Sequence, residues 1–190
     1  LLGIPQVERT LQQRRDGDPQ AWPYAVPLLK TVPTLTEMTR AALNVLDNDA
    51  DGFLLMVEGG AVDWASHANQ TGRMLEEQLD FDRTVAAVVH WVETCSNWDQ
   101  TLLIVTADHE TGYLTGPGSD PGWQPLVGNG RNRLPTMEWH HDNHTNSLVP
   151  LFAKGRGAEG LFPLVKGHDP VRGPYVDNTA LAEAVLAVMN

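Results

Sequence analysis

The sequence contains a single cysteine, Cys95, among its 190 residues. One cysteine excludes an internal disulfide bond and a zinc site built from several thiolates. Any metal site in this chain must therefore use histidine and carboxylate side chains.

Positive charge and long apolar runs are also scarce. Lys and Arg total 13 against 24 Asp and Glu, which gives a formal net charge of −11 and argues against nucleic acid or an anionic membrane as a partner. No apolar run approaches the length of a membrane-spanning helix. The 42% hydrophobic content predicts instead a globular chain with a core of its own. An anionic substrate stays compatible with this charge, because bound divalent cations can invert the field inside a cleft.

Three apolar runs have the length of buried strands. They lie at Phe53–Val57, Thr101–Val105 and Leu148–Ala153. Continuous apolar runs of this length are typical of strands that are covered on both faces, as in a parallel sheet. Helices are predicted from Thr34, at residues 72–95 and after Asn178-Thr179, the first of them from a capping-box pattern. The alternation predicts an α/β fold with a mainly parallel sheet flanked by helices.

The chain divides by composition into two parts. Residues 1–31 show no periodicity and are predicted to be irregular, whereas residues 32–190 are predicted to form the α/β domain. Within that domain, residues 112–143 are rich in Gly, Pro, Trp and Asn and are predicted to be a short insertion. Because Leu1 is not an initiator methionine, we expect further sequence upstream.

Acidic and histidine side chains follow the predicted strands. Glu58 ends the first apolar run, and Asp108 and His109 follow the second. Open α/β sheets bind ligands beyond the carboxyl ends of their strands, so these side chains are candidates for a site. Asp63 and His67 have the spacing that places two side chains on one face of a helix. Zinc takes nitrogen and carboxylate ligands of this kind, and magnesium prefers oxygen ligands such as Glu58.

Several segments together resemble the alkaline phosphatase family. They are Val57-Glu58-Gly59-Gly60 with Asp63 and His67, Thr106-Ala107-Asp108-His109, His144-Thr145, and the run Val149 to Gly155. The resemblance covers residues 32–190. It implies two zinc ions and one magnesium ion, with Glu58 as a magnesium ligand, Asp63, His67 and His144 on the first zinc, and Asp108 and His109 on the second.

The resemblance also has gaps. The serine nucleophile, the aspartate that bridges two metals and the arginine that clamps phosphate lie, in the family, upstream of the matched region, and nothing in residues 1–31 resembles them. Trp64 stands where the family often has Lys or His. We therefore interpret this chain as the C-terminal, metal-binding portion of the enzyme and expect it to be inactive alone.

The function that the resemblance implies is hydrolysis of phosphate monoesters, in a periplasmic or extracellular protein. It leaves a homodimer open. The alternatives are a phosphodiesterase, a sulfatase or a phosphoglycerate mutase of the same superfamily, or a non-catalytic metal-binding module.

Two local alternatives concern single segments. Residues 47–58 formally satisfy the calcium-loop pattern, but apolar residues precede Glu58 and Gly59-Gly60 follow it, which favours a solvated acidic turn. His140 and His141 lie near His144 and are alternative ligands. The adjoining Thr145 favours His144.

Overall fold

The structure is a computed structural model that describes residues 12–119 and 122–189. It divides into two compact units. The first unit consists of the described residues up to Val88 together with Thr111–His144, and the second of Val89–Glu110 together with the described residues from Thr145 onward. Residues 12–31 contain turns and bends without a helix or strand, as predicted, and the rest of the segment 1–31 lies outside the described residues.

The first helix, α1, spans Leu35–Leu46 and begins as predicted. The Thr34 hydroxyl accepts a hydrogen bond from the Glu37 backbone N–H at 3.1 Å, and the Glu37 carboxylate accepts one from the Thr34 N–H at 2.7 Å. This reciprocal pair satisfies two of the backbone donors that a helix leaves unpaired at its start. The capping-box prediction is confirmed.

Two further helices complete the helical part of the first unit. Helix α2 spans Ala61–His67 and α3 spans Thr71–Cys95, where a long helix was predicted. The Leu35 N–H donates to the Asp80 carboxylate at 3.1 Å, which holds the start of α1 against α3. Within the described residues, no helix is both long and apolar enough to cross a membrane.

A buried ion pair fastens the irregular N-terminal segment to α3. The Arg15 guanidinium contacts both carboxylate oxygens of Glu76, at 2.7 and 3.0 Å, and the two side chains are 2% and 4% exposed. The remaining Arg15 donors reach the carbonyl oxygens of Gln12, Val26 and Pro27. Because every group of the pair is hydrogen-bonded, the segment can bury this charge without a helix or strand of its own.

The strands of the structure are short. In chain order they are β1 Leu102–Val105, β2 Glu110–Thr111, β3 Leu114–Thr115, β4 Glu138–Trp139, β5 His144–Thr145, β6 Phe152–Gly155, β7 Val165–Asp169 and β8 Gly173–Val176. They pair as β1 with β6, β2 with β5, β3 with β4 and β7 with β8. A 3₁₀ helix, Ala158–Leu164, precedes β7, and helix α4 spans Ala180–Met189.

The predicted parallel sheet is wrong for the described residues. The pairs β1–β6, β3–β4 and β7–β8 are antiparallel. The apolar run Phe53–Val57 forms no strand, and Leu54 and Met56 are 64% and 85% exposed. A strand exists only where a neighbour accepts and donates along its whole ladder, and no described strand does so here. Apolar composition indicated the run's affinity for a sheet but not the presence of a partner.

The C-terminal helix is confirmed. The Asp177 carboxylate accepts hydrogen bonds from the Thr179 hydroxyl at 2.6 Å and from the Thr179 N–H at 3.0 Å. These hydrogen bonds, that of the hydroxyl first, hold the pKa of Asp177 below its ordinary value. The carboxylate one residue before the predicted Asn178-Thr179 cap therefore orders the turn that leads into α4.

Candidate metal centre

The short helix α2 carries two of the predicted ligands. Asp63 and His67 are one helical turn apart, and His67 Nε2 lies 3.5 Å from Asp63 Oδ1. Residues four apart on a helix lie on one face, as their spacing in the sequence predicted. Gly60 is the N-cap of α2 and makes no side-chain capping bond.

His144 comes to the same point from the other part of the first unit. Its Nε2 lies 3.3 Å from Asp63 Oδ1 and 3.0 Å from His67 Nε2. The two imidazole rings have their centroids 4.8 Å apart. One carboxylate oxygen and two imidazole nitrogens therefore face one another at mutual distances of 3.0 to 3.5 Å.

The donor set fits zinc. Tetrahedral zinc with nitrogen and oxygen ligands at about 2.0–2.1 Å holds those atoms about 3.3 Å from one another. The three separations around Asp63, His67 and His144 bracket that value. Three protein ligands of this type are also the usual number in catalytic zinc sites, in which a further position stays open.

Neighbouring groups orient the three side chains. His67 Nδ1 lies 2.6 Å from the carbonyl oxygen of Asp142. Because a carbonyl oxygen can only accept, Nδ1 must carry the proton, and Nε2 is then the nitrogen available to a metal. The Thr111 hydroxyl donates to Asp63 Oδ1 at 2.5 Å. Such outer contacts fix the rotamer and tautomer of metal ligands in known sites.

Gly112 holds the backbone that carries these groups. Its N–H donates to the Asn143 carbonyl at 3.0 Å, and its own carbonyl accepts from the N–H groups of His140 and His141 at 3.2 and 3.1 Å. Gly112 has φ +83°, and a Cβ there would lie 2.6 Å from the Trp139 ring. Only glycine combines this backbone conformation with so close an approach.

The loop is tied to α3 as well. Trp139 Nε1 donates to the Thr71 hydroxyl at 2.9 Å, at the first residue of that helix. The His140 ring packs against Tyr113, with centroids 5.6 Å apart. Of the three neighbouring histidines it is thus His144 that the structure brings to Asp63 and His67.

The other three predicted ligands lie elsewhere in the two units. In the second unit, Asp108 and His109 follow β1 as predicted, and Asp108 Oδ2 lies 3.3 Å from His109 Nε2. In the first unit, Glu58 is exposed and, within the described residues, its carboxylate makes no hydrogen bond or ion pair. Its Oε1 would lie 2.9 Å from a Cβ at Gly60, so the glycine leaves room for it.

The calcium-loop alternative finds no support in the structure. Asp47, Asp49 and Asp51 are exposed, and residues 53–59 are not helical. The Asp51 N–H donates to the Asp49 side chain at 3.0 Å, a hydrogen bond typical of a local turn. The segment is an acidic turn in solvent.

The comparisons with known proteins identify the family. The family model described as alkaline phosphatase matches residues 8–134. The chain belongs to the alkaline phosphatase family. The match includes Glu58, Asp63, His67, Asp108 and His109, whereas His144 lies beyond it, so the geometry around His144 is a separate observation.

Similar proteins of known name are alkaline phosphatases. Alkaline phosphatase 3 of Bacillus subtilis is 36% identical over 102 residues, which are 53% of this chain and 21% of that protein. The human tissue-nonspecific isozyme is 26% identical over 166 residues, 72% of this chain and 31% of that protein. The chain thus spans about a fifth to a third of the length of these relatives.

Solved structures share the fold. Alkaline phosphatase from the Antarctic bacterium TAB5 superimposes with a TM-score of 0.60 and 24% identity, over 82% of this chain and 40% of that one. A cold-active alkaline phosphatase of Shewanella sp. gives a TM-score of 0.64 and 23% identity, over 85% of this chain and 52% of that one. At this level the α/β class of the prediction is confirmed, although the parallel sheet is not.

Proposed function

We propose that this chain is the metal-binding portion of a phosphate monoester hydrolase. The observation that carries the proposal is the convergence of Asp63, His67 and His144, whose ligand atoms lie 3.0 to 3.5 Å apart, in a member of the alkaline phosphatase family. We assign these three residues to the first zinc ion. The contacts of Asp142 and Thr111 support the assignment, since both favour the metal-binding form of the ligand that they touch.

The remaining metals are assigned by motif. Asp108 and His109 are proposed as ligands of a second zinc ion and Glu58 as a ligand of magnesium, because these residues stand in the matching segments of the family. Their chemistry agrees: imidazole and carboxylate suit zinc, and a lone carboxylate with water suits magnesium.

The residues of the chain prepare the site for phosphoryl transfer. Zinc ions, when bound, supply positive charge to the phosphate oxygens and lower the pKa of coordinated hydroxyl groups and water. Asp63 brings one negative charge and the neutral imidazoles none, so the centre keeps net positive charge towards an anionic ester. The proton held on Nδ1 of His67 fixes that ring in place. The serine nucleophile of the family is expected outside this chain.

The full protein is proposed to act on soluble phosphate monoesters in the periplasm or outside the cell. This location follows from the family alone. The homodimer likewise stays a prediction.

Zinc binding and hydrolysis test the proposal separately. Calorimetry of the chain with zinc should show a site that His67→Ala weakens and that His90→Ala, an exposed residue on α3, leaves unchanged. The isolated chain should hydrolyse p-nitrophenyl phosphate no faster than a Glu58→Ala/Asp108→Ala variant. The full-length protein should hydrolyse it and lose that activity in the same variant. Zinc binding without hydrolysis by the full-length protein would identify a non-catalytic module instead.

A further inference from the structure

A cleft of about 470 Å³ lies beside the candidate zinc ligands in the first unit. Its lining consists of Gln13, Arg14, Arg15, Pro19, Trp64, His67, Ala68 and Gln70. His67 belongs both to this lining and to the cluster with Asp63 and His144. A molecule in the cleft would therefore lie next to the proposed metal centre.

An aromatic and a cationic side chain meet in this cleft. The Arg14 guanidinium carbon lies 5.1 Å from the centre of the Trp64 ring, within the range of a cation–π contact. Trp64 is 42% exposed, and Arg14 is exposed as well. Because Trp64 and His67 are three apart on α2, they share a face of the helix, and the stacked guanidinium is held on the side of His67.

The two arginines of the cleft differ in what they already bind. Arg15 is committed to Glu76 and to three backbone carbonyl groups. Arg14 forms no ion pair with any carboxylate in the described part of the chain. A guanidinium that stacks through its face keeps its N–H groups at the edge, where they can pair with a carboxylate or phosphate. In a chain of net charge −11, such a cation beside a site for anionic esters is a feature that binding can use.

We propose that this cleft binds the alcohol part of the phosphate ester and that Arg14 selects esters whose alcohol part carries a second anionic group. The inference rests on the proposed phosphatase function and adds the substrate class. Trp64 holds the guanidinium in place and offers an apolar surface to the carbon skeleton of the ester. Arg14 is thus a specificity residue that takes no part in the transfer itself.

A matched pair of substrates tests the selection. Phenyl phosphate and 4-carboxyphenyl phosphate differ by one carboxylate, and the ratio of their kcat/KM values in a variant, divided by that ratio in the full-length wild type, cancels leaving-group reactivity. Arg14→Gln should lower the ratio about tenfold, the value of one charge-assisted hydrogen bond, mainly through KM. Arg14→Lys should retain part of it. Arg83→Gln is the matched control, because Arg83 stacks on Tyr24 at 5.9 Å outside the cleft, and its ratio should not change.

A binding measurement separates this inference from the phosphatase function. Calorimetry of 4-hydroxybenzoate and phenol requires no turnover, and the wild-type protein should prefer 4-hydroxybenzoate about tenfold, a preference that Arg14→Gln removes. Hydrolysis of phenyl phosphate with no effect of Arg14 on either preference would overturn the subsite alone. Arg14-dependent binding of 4-hydroxybenzoate in a protein without hydrolysis would overturn the phosphatase function and keep the anion site.

Discussion

The carbonyl oxygen of Asp142 lies 2.6 Å from Nδ1 of His67. This one contact fixes which nitrogen of the ring is protonated and turns Nε2 towards Asp63 and His144. Since the contact comes from backbone, no substitution of the Asp142 side chain can remove it directly. The imidazole is thus prepared by the path of the loop rather than by a second side chain.

We first predict that His67→Ala and His144→Ala each weaken zinc binding by at least about a hundredfold, because each removes one of three ligands. Calorimetric titration of the chain with zinc measures the loss. His90→Ala should match the wild type. Equal affinities in all four proteins would show that the cluster does not bind zinc.

The second prediction concerns Thr111, whose hydroxyl donates to Asp63 Oδ1. Thr111→Val keeps the shape of the side chain but removes the donor, so zinc affinity should fall about 10- to 100-fold, the range seen for outer contacts of metal ligands. Thr94→Val is the control, because the Thr94 hydroxyl donates only along its own helix to the His90 carbonyl and to Cys95. A loss of the same size in both variants would contradict an orienting role for Thr111.

The third prediction concerns Gly112. Gly112→Ala imposes a side chain at φ +83° and 2.6 Å from the Trp139 ring, so we expect a loss of more than the roughly 1–2 kcal/mol of backbone strain alone. Zinc affinity should fall as well, because the loop carries His144 and the Asp142 carbonyl. Gly118→Ala separates the two causes, since Gly118 has φ +75° but nothing within 4 Å of its Cβ. Equal losses of unfolding free energy in the two variants would exclude the contact with Trp139.

Much of the helical structure could be predicted from local sequence. The capping box of Thr34 and Glu37 involves residues three apart, and its hydrogen bonds form within a single turn. The strands could not be predicted in the same way. Phe53–Val57 has a strand's composition, yet pairing depends on residues far away in the chain, and no described strand reaches it. The antiparallel pairing of Leu102–Val105 with Phe152–Gly155 is equally non-local.

The site shows the same division. The spacing of Asp63 and His67 is local and predicted their common face, whereas the place of His144 was predicted only from family resemblance. The carbonyl of Asp142 leaves no signal, because every residue carries one. The contact of Arg14 with Trp64 joins an irregular segment to a helix, and neither periodicity nor motif indicates such a pair.

The fourth prediction concerns the buried pair of Arg15 and Glu76. Glu76→Ala would leave the Arg15 charge buried without its partner, and we expect a loss of about 3–5 kcal/mol in the free energy of unfolding. The double variant Arg15→Met/Glu76→Leu removes both charges and should recover most of that loss. Urea unfolding of the chain measures all three. A double variant as unstable as Glu76→Ala would mean that the backbone contacts of Arg15, and not its charge, dominate.

The final prediction is a pH dependence that comes from Glu77. Burial raises the pKa of this carboxyl from 4.5 to about 7, and its Oε1 has no hydrogen-bond partner in the described structure. Between these two values the unfolded chain has released the proton that the folded chain still holds, so stability falls as the pH rises. The full penalty, about 3 kcal/mol from a difference of about 2.5 pKa units, is present above pH 7 and absent below pH 4.5.

Glu77→Gln removes this titration and keeps the shape of the side chain. The unfolding free energy of the variant minus that of the wild type should therefore increase between about pH 4.5 and 7 by about the size of the penalty. Urea unfolding at intervals across this range measures the difference, in which the titration of other groups cancels. Glu37→Gln is the matched control with the opposite sign, because hydrogen bonds from Thr34, that of its backbone N–H first, lower the pKa of Glu37 in the folded state. A difference for Glu77→Gln that stays constant with pH would show that this carboxyl titrates alike in the folded and unfolded chain.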